Sequence, residues 1–204
     1  MNLSKLFEMQ RELNAHIIKE KGLEGQDLMP NTILALQAEL GELANEWRGF
    51  KHWSNDREPR TFKRDSCPDC AKRGFSRYNP PKEENYWCET CAGYLVIDKN
   101  PLLEEYVDCL HFILSIGLQV GVSTDIDVTP CPPNKDIRSI TIRFIKLMKN
   151  ADSVIEHDNK ELAWSIYAGS FIGLGAELGF TWEQIEQAYF EKNKVNHTRQ
   201  ESGY

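Results

Sequence analysis

Four cysteines in two C-x2-C knuckles constrain this chain more than any other feature. Cys67-Pro68-Asp69-Cys70 and Cys88-Glu89-Thr90-Cys91 are separated by 17 residues. Thiolates delivered in pairs at that separation suit one tetrahedral four-cysteine zinc site, with a short hairpin between the knuckles. Two disulfides or a redox dithiol are the competing readings. The first residues lack a signal-peptide core with a cleavage site, and no run approaches the ~18 apolar residues of a membrane span. A cytoplasmic location is the resulting expectation, and it disfavours disulfides. No thioredoxin-like βαβ pattern surrounds either pair. A four-thiolate site has no open coordination position, so its role is to fold a segment too small to build a core. Residues 61–99 therefore read as a zinc-ribbon-like insert, with a strand over Tyr94–Ile97. Cys109 and Cys131 stand alone.

Outside the insert, over 1–60 and 100–204, apolar residues recur at helical spacing. Helices are expected over residues 3–20 and from an Asn31 or Thr32 N-cap to about Arg48. Another opens at Asn100-Pro101 and runs to about Gln119. After the Pro-rich break at 129–134, one helix is expected through 135–157 and a further one through 159–180. Thr181 and Gln184 form a capping box for the last. The expectation is all-α, a bundle of about five or six helices. At 204 residues, 41% hydrophobic and 27% charged, the chain has room for one sizeable core and a small appendage. A net charge of −7 argues against wholesale nucleic-acid binding. Residues 57–82 nonetheless hold eight basic side chains against three acidic ones. Phe75, Tyr78, Tyr86 and Trp87 there either contact nucleic acid or a partner protein, or pack round the small metal core, which is the simpler expectation.

Two acidic pairs carry the chemistry. Glu39 with Glu42, and Glu105 with Asp108, are E-x-x-[ED] steps inside apolar helical runs, so each puts two carboxylates on one face. Four carboxylates converging between packed helices hold hard divalent cations such as Mg²⁺; solvated amphipathic faces are the alternative. The 62 residues between the pairs cease to be an obstacle if the cysteine segment loops out. Gln10 and Asn14 lie one turn apart, and two amides with donors and acceptors suit a base edge. Phe50, Lys51, His52 and Trp53 follow the first acidic helix. Tyr189, Lys192, Asn196 and Arg199 share a face of the last helix, where Lys, Arg and an amide suit a polyphosphate. His111 lies among apolar residues of the second acidic helix and reads as a core histidine rather than a ligand.

These pieces resemble the dimeric dUTPases of the all-α, MazG-like nucleoside triphosphate pyrophosphohydrolases. The resemblance rests on Glu39-x-x-Glu42 and Glu105-x-x-Asp108 in order, on LLEEYVDCLHFILSIG, on KHW and on the terminal KN-x-x-N-x-x-RQ-x-x-GY. It covers nearly all of residues 1–55 and 100–204. The chain departs from that family where the four-cysteine module fills an otherwise short connection, and KHW stands one residue farther from the acidic pair. The resemblance implies that Glu39, Glu42, Glu105 and Asp108 bind Mg²⁺ ions that clamp a triphosphate. It also implies that Lys192, Asn196 and Arg199 hold phosphate oxygens, that Gln10, Asn14 and Trp53 form a uracil pocket beside Lys51 and His52, and that the protein is a homodimer.

The implied reaction is hydrolysis of dUTP to dUMP and pyrophosphate, with dUDP also accepted and attack at the β-phosphorus. One of Glu39 or Glu42 would orient or deprotonate the water. Two other functions stay open: pyrophosphohydrolysis of another nucleotide such as dCTP, and a regulatory or nucleic-acid-binding module working through the basic insert.

Overall fold

Apolar residues on one stripe bury the first helix, α1 (Ser4–Lys21), through Leu6, Phe7 and Leu13. It stops at Gly22, whose left-handed backbone lets the next amides close on Ile18 and Lys19. The computed structural model describes residues 3–83 and 86–202, so Gly203 and Tyr204 of the terminal motif lie outside the described residues. The chain forms two compact units: the part up to Pro59 together with the part from Leu102 onward, and the intervening Arg60–Pro101.

The larger unit holds α1, α2 (Met29–Trp47), α4 (Pro101–Val120), α5 (Ile137–Lys149), the single turn α6 (Ser153–Glu156), α7 (Lys160–Glu177) and α8 (Trp182–Glu201). α2 starts earlier than the expected Asn31 or Thr32 cap. Leu28 is its N-cap, Asp27 accepts from the Met29 amide at 3.1 Å, and Pro30 sits in the first turn, where a missing N–H costs nothing. Thr32 instead donates back to the Leu28 carbonyl. The helix expected over 135–157 breaks at Asn150, where Ser153 caps the Asn150 carbonyl and starts the short α6. The Thr181–Gln184 capping box forms as expected.

α4 is buried on most of its circumference, from Leu102 through Gly117, and forms the centre of the unit. Trp164 of α7 donates to the Ile113 carbonyl, and Tyr106 donates to the Phe171 carbonyl. α7 packs against the Pro-rich segment through glycines. A Cβ on Gly169 would sit 2.4 Å from the Thr129 carbonyl oxygen, and one on Gly173 would sit 2.5 Å from that of Cys131. Arg143 and the fully buried Glu177 carboxylate pair at 2.8 Å and fasten the same segment at Pro132 and Asn134. α8 runs parallel to α1: Lys5 lies over Phe190, Tyr189 reaches Leu6, and His16 meets His197 at 2.8 Å. No helix among the described residues is long and apolar enough to cross a membrane.

The smaller unit has strands β1 (Lys63–Ser66) and β2 (Val96–Lys99), antiparallel with Lys63 opposite Lys99, and the short α3 (Pro68–Lys72). β2 begins two residues later than the expected Tyr94. Leu95 has a left-handed φ of 63° and donates its amide to the Cys91 sulfur, so the extended ladder starts only after it. Phe75 and Tyr86 pack on the buried cysteines, whereas Tyr78 and Trp87 are exposed, at 100% and 65%. Two of the four aromatics therefore pack round the cysteines, and two do not.

Candidate active site

α2 and α4 each present their acidic pair toward the other. One carboxylate oxygen from each of Glu39, Glu42 and Glu105 falls within 4.8 Å of the others, and Glu39 and Glu105 share a hydrogen bond. Burial, then the charges of Asp108 and Glu42, raise the Glu39 carboxyl above its ordinary range. Burial, then Asp108, Glu39 and Glu42, push Glu105 up to about 7. Half-buried carboxylates that crowd one another in this way are stabilised by a positive partner. One such partner is already in place: Lys192 of α8 donates to Asp108 at 2.5 Å. Three converging carboxylates beside a fourth fit a hard divalent ion, which takes oxygen ligands.

Beside these acids lies a cavity of about 430 Å³. Glu39 and Asp108 form one part of its wall, and Gln10, Asn14, Asn196 and Arg199 form others. The two amides of α1 are wired together. Gln10 donates to Asn14 at 2.8 Å, and Asn14 donates to the Ser115 hydroxyl at 2.9 Å. The structure thus brings Gln10, Asn14, Asn196 and Arg199 to one cavity with two of the four acids. Glu42 and Glu105 adjoin through Glu39, and Lys192 adjoins through Asp108.

Lys51, His52 and Trp53 do not line that cavity. Trp53 is 67% exposed and packs edge-on to Phe50 and His52. The segment that carries them is anchored at Arg48, a non-glycine residue at φ 62° that ends α2. Its guanidinium holds the Asp56 carbonyl and carboxylate, at 2.8 and 2.9 Å, and Arg57 donates to the Gly49 carbonyl.

Among the wall residues that escaped the sequence reading as site residues are three on α4: His111, Phe112 and Ser115. The signal was the spacing. They stand three, four and seven residues after Asp108, on the face that already carries the acidic pair. His111 is the buried histidine expected, stacked on Tyr189 with ring centroids 4.1 Å apart. Burial, then the charge of Lys192, push its imidazole down to about 3, so the ring is neutral.

A family model described as dUTPase matches residues 2–64 and 86–204. The chain belongs to the all-α dUTPase family. That family comprises dUTP diphosphatases, which are nucleoside triphosphate pyrophosphohydrolases that generally use a divalent metal. No curated protein matches the chain. The stretch outside the dUTPase match, residues 65–85, contains the first cysteine knuckle, while Cys88 and Cys91 fall inside it. The four cysteines are buried without a disulfide. Cys67 and Cys88 sulfurs lie 3.8 Å apart, and those of Cys70 and Cys91 lie 3.5 Å apart. A tetrahedron with metal–sulfur bonds of ~2.3 Å has edges of about 3.8 Å, so the four sulfurs fit one ion. Burial opposes ionisation of Cys88, but hydrogen bonds from the Cys91 and Thr90 amides and from the Cys70 and Cys91 thiols pull it down to about 7.

Proposed function

We propose that this dUTPase hydrolyses dUTP to dUMP and pyrophosphate in a magnesium-dependent reaction, and accepts dUDP as well. Its bundle would be the catalytic part and residues 61–99 a zinc-folded insert. The observation that carries the reading is the convergence of Glu39, Glu42 and Glu105 within 4.8 Å, beside Asp108 and a cavity walled by amides. Glu39, Glu42, Glu105 and Asp108 would hold the ion. When bound, magnesium neutralises the triphosphate and lowers the pKa of a coordinated water. Glu39 or Glu42 would orient the attacking water and take its proton. Lys192, Asn196 and Arg199 supply donors to phosphate oxygens, and Gln10 with Asn14 reads the base. Lys51, His52 and Trp53 join the substrate only if the segment after Arg48 swings as a body about its anchor. The test is pyrophosphate release from a panel of dNTPs and NTPs, with and without Mg²⁺. Turnover of dUTP well above all others, and only with the ion, is expected; equal turnover of dCTP would give the reaction to a broader nucleotide class.

We also propose that two copies pair through α5 and α7. These helices are antiparallel, since Tyr167 reaches the Leu147 carbonyl and Arg143 the Ser170 carbonyl. They leave Ile142, Ile145, Leu162 and Ile166 exposed by 41–63%. Exposed apolar side chains of that size on adjoining helices suit an interface. Ile145→Lys with Ile166→Lys is expected to convert a dimer to a monomer in sedimentation; a monomeric unsubstituted protein would remove the proposal.

The alternative reading of the insert as a nucleic-acid contact draws on exposed Tyr78, Trp87 and Tyr94. Residues 60–101 hold eight basic and six acidic side chains, and a zinc tetrathiolate carries two net negative charges. The unit is then close to neutral, which weakens that reading. Salt-sensitive oligonucleotide retention that vanishes on deleting 61–99 is what it requires.

A further inference from the structure

Among the described residues, two that line the cavity each hold a buried polar atom with nothing to bond to, His111 through Nε2 and Gln200 through Oε1. The Nε2 of His111 is buried and without a hydrogen-bond partner, although the ring's other nitrogen is held by Gln10 at 2.7 Å. A buried ring nitrogen left unpaired costs stability, and beside a cavity it points to a ligand group. Whether that group must be a donor or an acceptor depends on which ring nitrogen carries the proton.

The surroundings decide the tautomer. Gln10 is buried and reaches three side chains: Tyr189, His111 and Asn14. Its amide could in principle face either way. The contact to the Tyr189 hydroxyl is 2.7 Å, whereas the hydroxyl's other acceptor, the Leu6 carbonyl, is 3.3 Å away. In the structure the hydroxyl donates to the Gln10 carbonyl oxygen, which therefore faces Tyr189. The same oxygen faces His111 Nδ1, so Nδ1 carries the proton and donates. Nε2 is left with a bare lone pair. The amide nitrogen of Gln10 then points the other way, to Asn14, in the chain that ends at Ser115.

We propose that His111 is a specificity-determining residue of this dUTPase: its Nε2 accepts the imide N3–H of the uracil ring, and Tyr189 positions it by fixing the Gln10 amide. The inference deepens the dUTPase reading and rests on it. Uracil presents a donor at N3, whereas cytosine presents a lone pair there. A bare Nε2 therefore bonds the first and repels the second, and the fixed relay prevents the histidine from switching tautomer to suit cytosine. Phe112 beside it in the wall offers an apolar face for the ring.

The experiment compares kcat/KM for dUTP and for dCTP in the full-length protein, its Tyr189→Phe variant and its His111→Phe variant. Tyr189→Phe removes one oxygen and keeps the ring stack, so it should fold. It is expected to lower the dUTP-to-dCTP ratio by about tenfold or more, because Gln10 can then turn and let either tautomer form. His111→Phe should lower it by at least as much, chiefly through loss of dUTP turnover. In ¹⁵N-histidine NMR of the unsubstituted protein, His111 should carry its proton on Nδ1, and adding dUMP should shift Nε2 as it accepts a hydrogen bond. A Tyr189→Phe ratio within twofold of the unsubstituted protein, a proton on Nε2, or an Nε2 unmoved by dUMP overturns the proposal while dUTP hydrolysis stands. An unsubstituted protein that does not hydrolyse dUTP overturns the activity and this assignment together, and shows before any variant is scored.

Discussion

Glu105→Gln is expected to reduce dUTP turnover on the order of 10³-fold while making the magnesium-free protein more stable, not less. The two effects share one cause. Glu105 is half-buried among Asp108, Glu39 and Glu42, and its carboxyl is pushed up to about 7 by burial and by those charges. Glutamine keeps the shape and can keep the hydrogen bond to Glu39, but it removes a charge that the cluster tolerates poorly. The loss of turnover follows because a metal ion supplies several kcal/mol of charge stabilisation, and each ~1.4 kcal/mol is a factor of ten.

The pH dependence has a definite sign. An acid whose pKa is higher folded than unfolded binds its proton more tightly in the folded state. Its stabilising contribution is complete below the ordinary value of 4.5 and is lost as pH rises through about 7. The buried His111, whose imidazole is pushed down to about 3, works in the opposite direction over this range, so the effect of Glu105 is read as a difference: without magnesium, going from pH 5.5 to pH 8 should cost the unsubstituted protein more melting temperature than it costs Glu105→Gln. Magnesium should raise the melting temperature more at pH 8, where the carboxylates are ionised, and the increment should shrink in the variant. Full turnover in Glu105→Gln, or the same pH dependence of melting in the variant and the unsubstituted protein in magnesium-free buffer, would sink the acidic site.

The second large effect concerns the insert. Cys67→Ser or Cys88→Ser is expected to abolish binding of one zinc ion per chain and to unfold residues 60–101. The hydrophobic cluster of this unit consists of the four cysteines and Leu95, with Phe75, Tyr86 and Ile97 against it. Eight side chains cannot offset the ordering entropy of some forty residues, whereas structural zinc contributes about 10–16 kcal/mol in small modules. Limited proteolysis should cut the variant within 60–101, while circular dichroism should show the helices of the other unit retained. Hydrolysis of dUTP should persist, because the carboxylates belong to a unit with a core of its own. A metal-free chain that resists protease in this segment would rule out the zinc assignment.

Much of this was legible from spacing alone. Apolar periodicity placed the six long helices, and the i, i+3 steps put Glu39 with Glu42 and Glu105 with Asp108 on single faces. What spacing could not show was which faces meet. Nothing local to Gln10 says that its oxygen lies against Tyr189, 179 residues away, or His111, 101 residues away. His111 satisfied the expectation of a buried core histidine and still lines a cavity with one ring nitrogen unpartnered; both descriptions fit an apolar helix equally well. The early start of β2 expected at Tyr94 failed for a backbone reason, the left-handed turn at Leu95 beneath the Cys91 sulfur, which residue preference does not report. The aromatics of KHW were weighed by their chemistry, while their position depends on a guanidinium clamp between Arg48 and Asp56.

The Lys192–Asp108 contact has a thermodynamic consequence. In the metal-free protein a lysine occupies part of the space in which a cation would be stabilised, so an ion arriving alone must displace an internal competitor. A nucleotide removes that penalty, since its phosphates give the displaced ammonium a new partner of the same sign as the one it leaves. Ion and nucleotide are thereby linked: each increases the affinity for the other by the same factor, as any coupling free energy requires. The enzyme should bind the magnesium–nucleotide complex far better than either component, with Lys192 as the group that transmits the coupling.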